Sequence, residues 1–402
     1  MSTGSIDERI NKEIVAEDAS IWYISDDYGS MIAVKLPSNV LKSVINGCPV
    51  DFLFGKDFRG ENIYFHTGIR IHDDPVHFIS IIGTHRFHEE HEALGLIMKQ
   101  PEIQIVLYNE FSVCVASGIV NISLSDRNKV VKFQGAPTEL YSGDFDAVAI
   151  SSLDCFDFSL DNKRPFKDVY EIELLLVKGT FSQWKFVDVH FVGLNEANLV
   201  SVNDSDEGGS FEKQIWASLE NIFHFDLYKN STIGSGKKKR EFIDILAFHK
   251  LGIILIESKA LSVIAVDRNK SMAKKVSSLQ KHINKGIGQL IGAKKGIEKG
   301  VEIRDINNRV ITFNRNIIPH CIVLVSELLP FGDWSEIQEE MERAIREENI
   351  YLNVMDFKEL ITLLKACKGS KEYFDCLLME RTGWFVKTKN ILMKSVIQVN
   401  KQ

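Results

Sequence analysis

Two runs of apolar, mostly branched residues, 242–249 and 253–256, stand either side of Lys250-Leu251-Gly252, and no other pattern in the sequence restricts the fold as strongly. It reads as a β-hairpin. If His249 and Gly252 close the turn, counting outward along both strands places Asp244 directly opposite Glu257. Opposed residues have Cβ atoms roughly 5 Å apart, and the period of two along a strand puts Lys259 on the same face as Glu257. Three charged side chains are therefore expected to share one patch of an otherwise apolar strand pair.

Two carboxylates about 4 Å apart repel by about 4 kcal/mol at an effective dielectric near 20, so such a patch needs positive charge. Lys259 supplies some of it. A hard divalent cation held by oxygen ligands supplies more. Spacing alone leaves a second arrangement open, a buried Asp–Lys–Glu ion network with a purely structural role.

An aspartate followed by a hydrophobic strand ending Glu257-Ser258-Lys259 resembles the PD-(D/E)XK nuclease superfamily, and residues 208–330 are similar to its NERD-like (nuclease-related) members. Two further elements occur in the order those members have them. A helix with a glutamate, Phe211-Glu-Lys-Gln-Ile-Trp-Ala-Ser-Leu219, precedes the hairpin, and a helix with a glutamine, Lys285-Gly-Ile-Gly-Gln-Leu-Ile-Gly-Ala293, follows it.

The resemblance implies a restriction-endonuclease-like α/β core and a catalytic set of Asp244, Glu257, Lys259 and Gln289. Asp244, Glu257 and the backbone carbonyl of Ser258 would hold Mg²⁺ or Mn²⁺, with Glu212 as a second-metal ligand or orienter. Lys259 would hold the attacking water or neutralise the phosphate, and Lys285 would help Gln289 to orient it. The implied activity is metal-dependent hydrolysis of phosphodiesters, by an endonuclease rather than an exonuclease, on DNA in preference to RNA. Bacterial proteins of this type often act in defence against phage. The residues themselves do not separate DNA from RNA. A reading from another class is a catalytically inactive nuclease-fold module that binds or scaffolds within a multi-subunit defence complex.

Charge distribution agrees with a polyanionic partner. The chain carries net −7, yet residues 237–300 hold fifteen Lys and Arg against five Asp and Glu. Lys237, Lys238, Lys239, Arg240, Lys285, Lys294 and Lys295 are the candidate contacts to a nucleic-acid backbone, with a solvated helical face as the alternative. There is no apolar run of about 18 residues and no charged-then-apolar leader at Met1, so no membrane span is expected and the chain is read as cytoplasmic. Six cysteines without a Cys-x-x-Cys pair speak against a zinc ribbon or a disulfide framework.

The expected fold class is α+β in two domains. Residues 1–202 read as a β-rich, sandwich- or barrel-like domain that could serve recognition, regulation or contact with a partner protein or a second copy. Its expected strands include residues 20–36 as a hairpin and residues 50–55, 62–72, 103–108, 147–152 and 169–177, with a single helix over 84–98. That helix carries His85, His88 and His91, close in sequence to His66, His72 and His77. Lacking a His-Glu-x-x-His order, it reads as a solvated polar face or partner surface in preference to a metal site. The polar, glycine-rich residues 203–210 read as a linker. From 211 to 402 the pattern is α/β: a helix over 211–223 capped by Ser210, the hairpin, a long helix over 271–299, strands at 317–325 and 351–355, and helices at 335–348 and 356–367. Gly288, Gly292 and Gly296 recur every four residues of the long helix, a strip expected to pack closely against the sheet or a ligand.

Overall fold

The computed structural model describes residues 8–26, 29–73, 78–161, 168–192, 197–234, 239–260, 272–329 and 332–395. Two compact units emerge. Met1–Asp188 with Ser201–Asn203 form the first, and Val189–Val200, Asp204–Ser262 and Asn269–Gln402 the second. The boundary differs from the sequence-based one. The ribbon of β9 (Val189–Val192) and β10 (Ala197–Val200) belongs to the second unit, and α6 (Glu207–Glu220) begins inside the expected linker. The reason is a cap: Asp206 accepts the Gly209 N–H at 3.0 Å, so the helix starts well before Ser210.

In the first unit, α1 (Glu8–Ala16) precedes the hairpin β1 (Ser20–Asp26) and β2 (Gly29–Lys35), and α2 (Ser38–Ile45) leads into β3 (Val50–Arg59) and β4 (Asn62–Ile71). Then come β5 (Ile79–Thr84), α3 (His88–Lys99), β6 (Ile103–Tyr108), β7 (Cys114–Asn121), α4 (Leu124–Gln134), α5 (Ala147–Asp161) and β8 (Glu173–Phe186). The strands make one eight-stranded sheet in the order β1-β2-β6-β7-β8-β3-β4-β5. Its edges β1 and β5 lie against each other, so the sheet is a nearly closed barrel.

Helices are where the sequence reading fails here. Residues 147–152 are helix, not strand, because Asp146 accepts the N–H groups of Val148 and Ala149 and starts a turn. Ala149, Ser152, Cys155 and Phe156 then form a fully buried stripe at helical spacing. α1, α2 and α4 are further helices that the strand-dominated reading passed over.

The second unit holds a six-stranded mixed sheet, assembled from β11 (Leu227–Ile233), β12 (Arg240–Phe248), β13 (Ile253–Lys259), β14 (Ile303–Arg304), β15 (His320–Val325) and β16 (Tyr351–Asp356) in the order β14-β11-β12-β13-β15-β16. β12 and β13 are antiparallel, while β13, β15 and β16 are parallel. The parallel strands require crossovers, supplied by α7 (Met272–Glu298) and α8 (Ser335–Glu348). α7 and α8 pack together and on the sheet, and α9 (Phe357–Cys367) and α10 (Lys371–Thr388) pair with each other and with β16. Leu246, Leu255, Ile283, Ile287, Leu290 and Val323 belong to the shared core. Asp356 caps α9 as expected, accepting the Glu359 N–H at 2.9 Å. No helix among the described residues is long and apolar enough to cross a membrane, and all six cysteines are free thiols.

Candidate active site

The hairpin has the expected register. His249 N–H donates to the Gly252 carbonyl at 2.9 Å, and Ile245 pairs with Ile256 and Leu246 with Leu255. One step further the ladder gives way to a side chain. The Asp244 carboxylate accepts the Ser258 backbone N–H at 2.7 Å and the Ser258 hydroxyl at 2.9 Å. In an extended strand the N–H and C=O of one residue point to the same side, so the Ser258 carbonyl shares this edge with Asp244. Glu257 is 1% exposed and forms an ion pair with Lys259 through one carboxylate oxygen, while the other, Oε2, is buried without a hydrogen-bond partner.

More carboxylates converge here than the motif suggested. Glu257 is pushed up to about 7 by burial and then by the Asp244 charge, against the pull of Lys259. Glu212, half-buried on α6, is likewise raised to about 7 by burial, Asp244 and Glu241. Glu241 is raised by burial and Asp244. Strand alternation would aim Glu241 away from Asp244, and an irregularity corrects it. β11 pairs Ser231 with Ile243 but Thr232 with Glu241, so one extra residue of β12 is accommodated and the parity flips. That bulge is why the sequence did not reveal Glu241. Glu212 lies in the second turn of α6 and not the first, so the helix dipole is no explanation for an acid at this position.

The helix α7 covers the cluster at Gly286. A Cβ there would lie 3.6 Å from Glu257 Cγ and 3.0 Å from a Val323 methyl. The glycine that matters is thus outside the expected strip, since Gly288 and Gly292 face open space and only Gly296, against Phe242, packs. His282, which the sequence reading did not single out, is held low by burial and by the Lys259 and Lys285 charges.

The remaining candidates divide. Lys239, just before β12, and Arg240, its first residue, are exposed. Lys237 and Lys238 lie outside the described residues. Gln289 is exposed on α7, and among the described residues no hydrogen bond joins it to Asp244, Glu257 or Lys259. Lys294 and Lys295 follow Gly286 by eight and nine residues on the same helix. α7 runs back across the parallel strands and carries them to the far end, where Lys294 pairs with Glu298 at 2.8 Å and Lys295 with Glu348 at 2.7 Å.

An oxygen-only set of Asp244, Glu257 and the Ser258 carbonyl, with Glu212 nearby, suits a hard cation. The unpartnered Glu257 Oε2 has the chemistry of a free ligand. Among the described residues no three His, Cys, Asp or Glu side chains are already arranged to hold a metal ion. The expected solvated histidine face of α3 is corrected: His85 and His91 are buried and His66 is enclosed between Thr84 and Ser152, while His88 reaches out to Glu92 and the half-buried His72 pairs with Asp51. His77 lies outside the described residues.

The acidic cluster and its adjoining lysine lie at the carboxyl end of the parallel strand β13, the end of such sheets where ligands commonly bind. Residues 207–316 match the family model of the nuclease-related domain, NERD, so the second unit carries a nuclease-related domain. Neither the curated proteins nor the solved structures contain a significant match to the chain.

Proposed function

We propose that the second unit is a Mg²⁺- or Mn²⁺-dependent nuclease with a restriction-endonuclease-like core, cutting DNA endonucleolytically, with a role in bacterial defence against phage. The observation that carries the reading is the crowding of Asp244 and Glu257 on one face with Lys259, inside a segment that matches the nuclease-related domain. Asp244, Glu257 and the Ser258 carbonyl would hold the cation, which when bound supplies Lewis acidity and an acidified water.

The chain's own residues do the rest. Ser258 fixes the Asp244 carboxylate with two hydrogen bonds, so its free oxygen is presented in one orientation. Lys259 pairs with Glu257, and would turn toward a phosphate oxygen once Glu257 has another partner. Gly286 keeps the helix wall close enough to exclude bulk water from Glu257. Lys239, Arg240 and Lys285 would meet the backbone on either side. Gln289 would join only by turning inward from its exposed position.

Supercoiled plasmid incubated with the full chain and Mg²⁺ or Mn²⁺ should be nicked, and Asp244→Ala and Lys259→Ala should each abolish it. Cutting that survives in both variants removes the assignment. Binding of plasmid without cutting, unaffected by metal, would instead favour an inactive nuclease-fold module.

A further inference from the structure

Several exposed apolar side chains of the second unit gather around one cleft. It holds about 480 Å³ between the last turns of α6, the start of β11 and the turn that follows β14. Phe225 is 72% exposed, Ile306 57% and Val310 46%, and all three line it. Large apolar groups left this open to water add little to the stability of the fold, and their concentration at one hollow marks a binding surface. The lining also has flat faces. Tyr228 ends a row of three rings: it stacks on Phe248 at 5.7 Å and 10°, and Phe248 lies 5.1 Å from Phe313. Trp216 belongs to the floor and is almost wholly buried, so Phe225 and Tyr228 are the rings a ligand would meet first.

Charges of both signs are present. Asp305 accepts the Arg309 backbone N–H at 2.7 Å and so closes the turn, and Glu220 is nearly buried. Lys229 lies 3.4 Å from the Asn198 side-chain oxygen and 5.9 Å from the Trp216 ring. Two cations against two carboxylates give no net preference for an ion of either sign. What remains open is one guanidinium: Arg309 is exposed, and among the described residues its side chain has no hydrogen-bond or ion-pair partner.

Position narrows the ligand further. α6 carries Glu212 and, four residues on, Trp216, a rise of about 6 Å along the axis. β11 pairs Lys229 with Ile245, the residue after Asp244. Two elements thus lead from the acidic cluster directly into the cleft.

We propose that the cleft takes an unpaired base of the strand whose backbone lies at the acidic cluster, the base stacking on Phe225 and Tyr228 and a neighbouring phosphate meeting Arg309. The identity of that strand rests on the nuclease reading. Within a duplex the faces of a base are covered by its neighbours, so only single-stranded or locally melted DNA can fill the cleft.

Fluorescence anisotropy of a labelled oligodeoxynucleotide, alone and annealed to its complement, tests this with the full chain in EDTA. The single strand should bind about fivefold or more tighter than the duplex, and Phe225→Ala should remove that advantage while leaving duplex affinity within about twofold. A 2-aminopurine within the single strand should be quenched by the parent more than by Phe225→Ala. Arg309→Ala should weaken the single strand and lower the salt slope of its binding by about one. Both side chains are exposed, so both variants should melt with the parent, which separates lost binding from lost folding. Equal affinity for the two forms, an advantage that survives Phe225→Ala, or no binding of either form, as a cleft built for a peptide would show, would overturn the proposal. Plasmid cutting in Mg²⁺ or Mn²⁺ reports on the nuclease reading separately. A parent that cuts without preferring single strands loses only the cleft, whereas a single-strand preference that depends on Phe225 in a parent that does not cut upholds the cleft and removes the nuclease.

Discussion

Around Glu257 four carboxyl groups crowd one end of a sheet, whereas around His85 the buried groups are imidazoles and hydroxyls. Both clusters have left water, but the first kept its charge problem and the second avoided it. Glu257 resists ionising because burial and Asp244 oppose it, and on the proposed reading a bound cation would offset both. His85 is neutral and its environment calls for hydrogen bonds. Burial therefore acts on opposite kinds of group: it favours the protonated carboxyl in one unit and the neutral imidazole in the other.

The largest effect should come from removing the acid cluster's charge. Glu257→Gln should lower plasmid cutting by roughly 10²–10⁴-fold, as expected when a metal ligand and its electrostatics are lost. His85→Phe should leave cutting within about threefold if the two clusters are functionally separate. A large loss of cutting in His85→Phe would break the separation.

Next in size is the helix over the acids. Gly286→Leu must push against Val323 and Glu257, and overpacking of this kind costs about 1–3 kcal/mol. Gly288→Ala and Gly292→Ala meet open space and should each stabilise by about 0.5–1 kcal/mol. Urea unfolding of the three variants checks both signs.

The pH responses should oppose each other. Glu257 has a folded value near 7 against 4.5 for the free side chain, so its contribution is fully stabilising below about 4.5 and is lost as pH rises through about 7. Glu257→Gln should flatten that part of the melting curve, and Mg²⁺ should restore stability to the parent at pH 8. His66 is lowered to about 3 by burial, so the unfolded chain takes up a proton near 6.5 that the folded one refuses. Its contribution is fully present above about 6.5 and falls on acidification. Melting followed from pH 5 to pH 8 for the parent and Glu257→Gln tests the sign of the difference, which excludes shifts common to both, such as that of His320.

What was legible in the sequence was local. The hairpin register followed from a turn and a parity count, and so Asp244 and Glu257 could be paired before any coordinates. Glu241 was hidden because a bulge changes parity without leaving a signature in the residues. The first unit was harder: β8 joins β7 to β3, partners far away along the chain, and the helix at Ala147–Asp161 begins with residues that also suit a strand. Gly286 was passed over in favour of a regular glycine repeat, because repetition is visible in a sequence and a contact with Val323 is not.

The smallest effects concern the basic residues, and they test whether net charge or position matters. Lys294 and Lys295 look as suitable as Lys239 and Arg240 when charges are merely counted. In the fold they neutralise Glu298 and Glu348 at the amino end of the parallel strands, and each such surface pair is worth only about 0–1 kcal/mol. Lys239 and Arg240 begin the strand that carries Asp244 and are exposed. Lys239→Ala with Arg240→Ala should therefore raise the KM for plasmid a few-fold and reduce the slope of affinity against salt by about one to two contacts. Lys294→Ala with Lys295→Ala should change neither by more than about twofold, though each removes the same formal charge. If the two double variants lost affinity equally, diffuse attraction to the whole basic segment would be sufficient, and the substrate path drawn past Asp244 and Lys259 would have no support from binding.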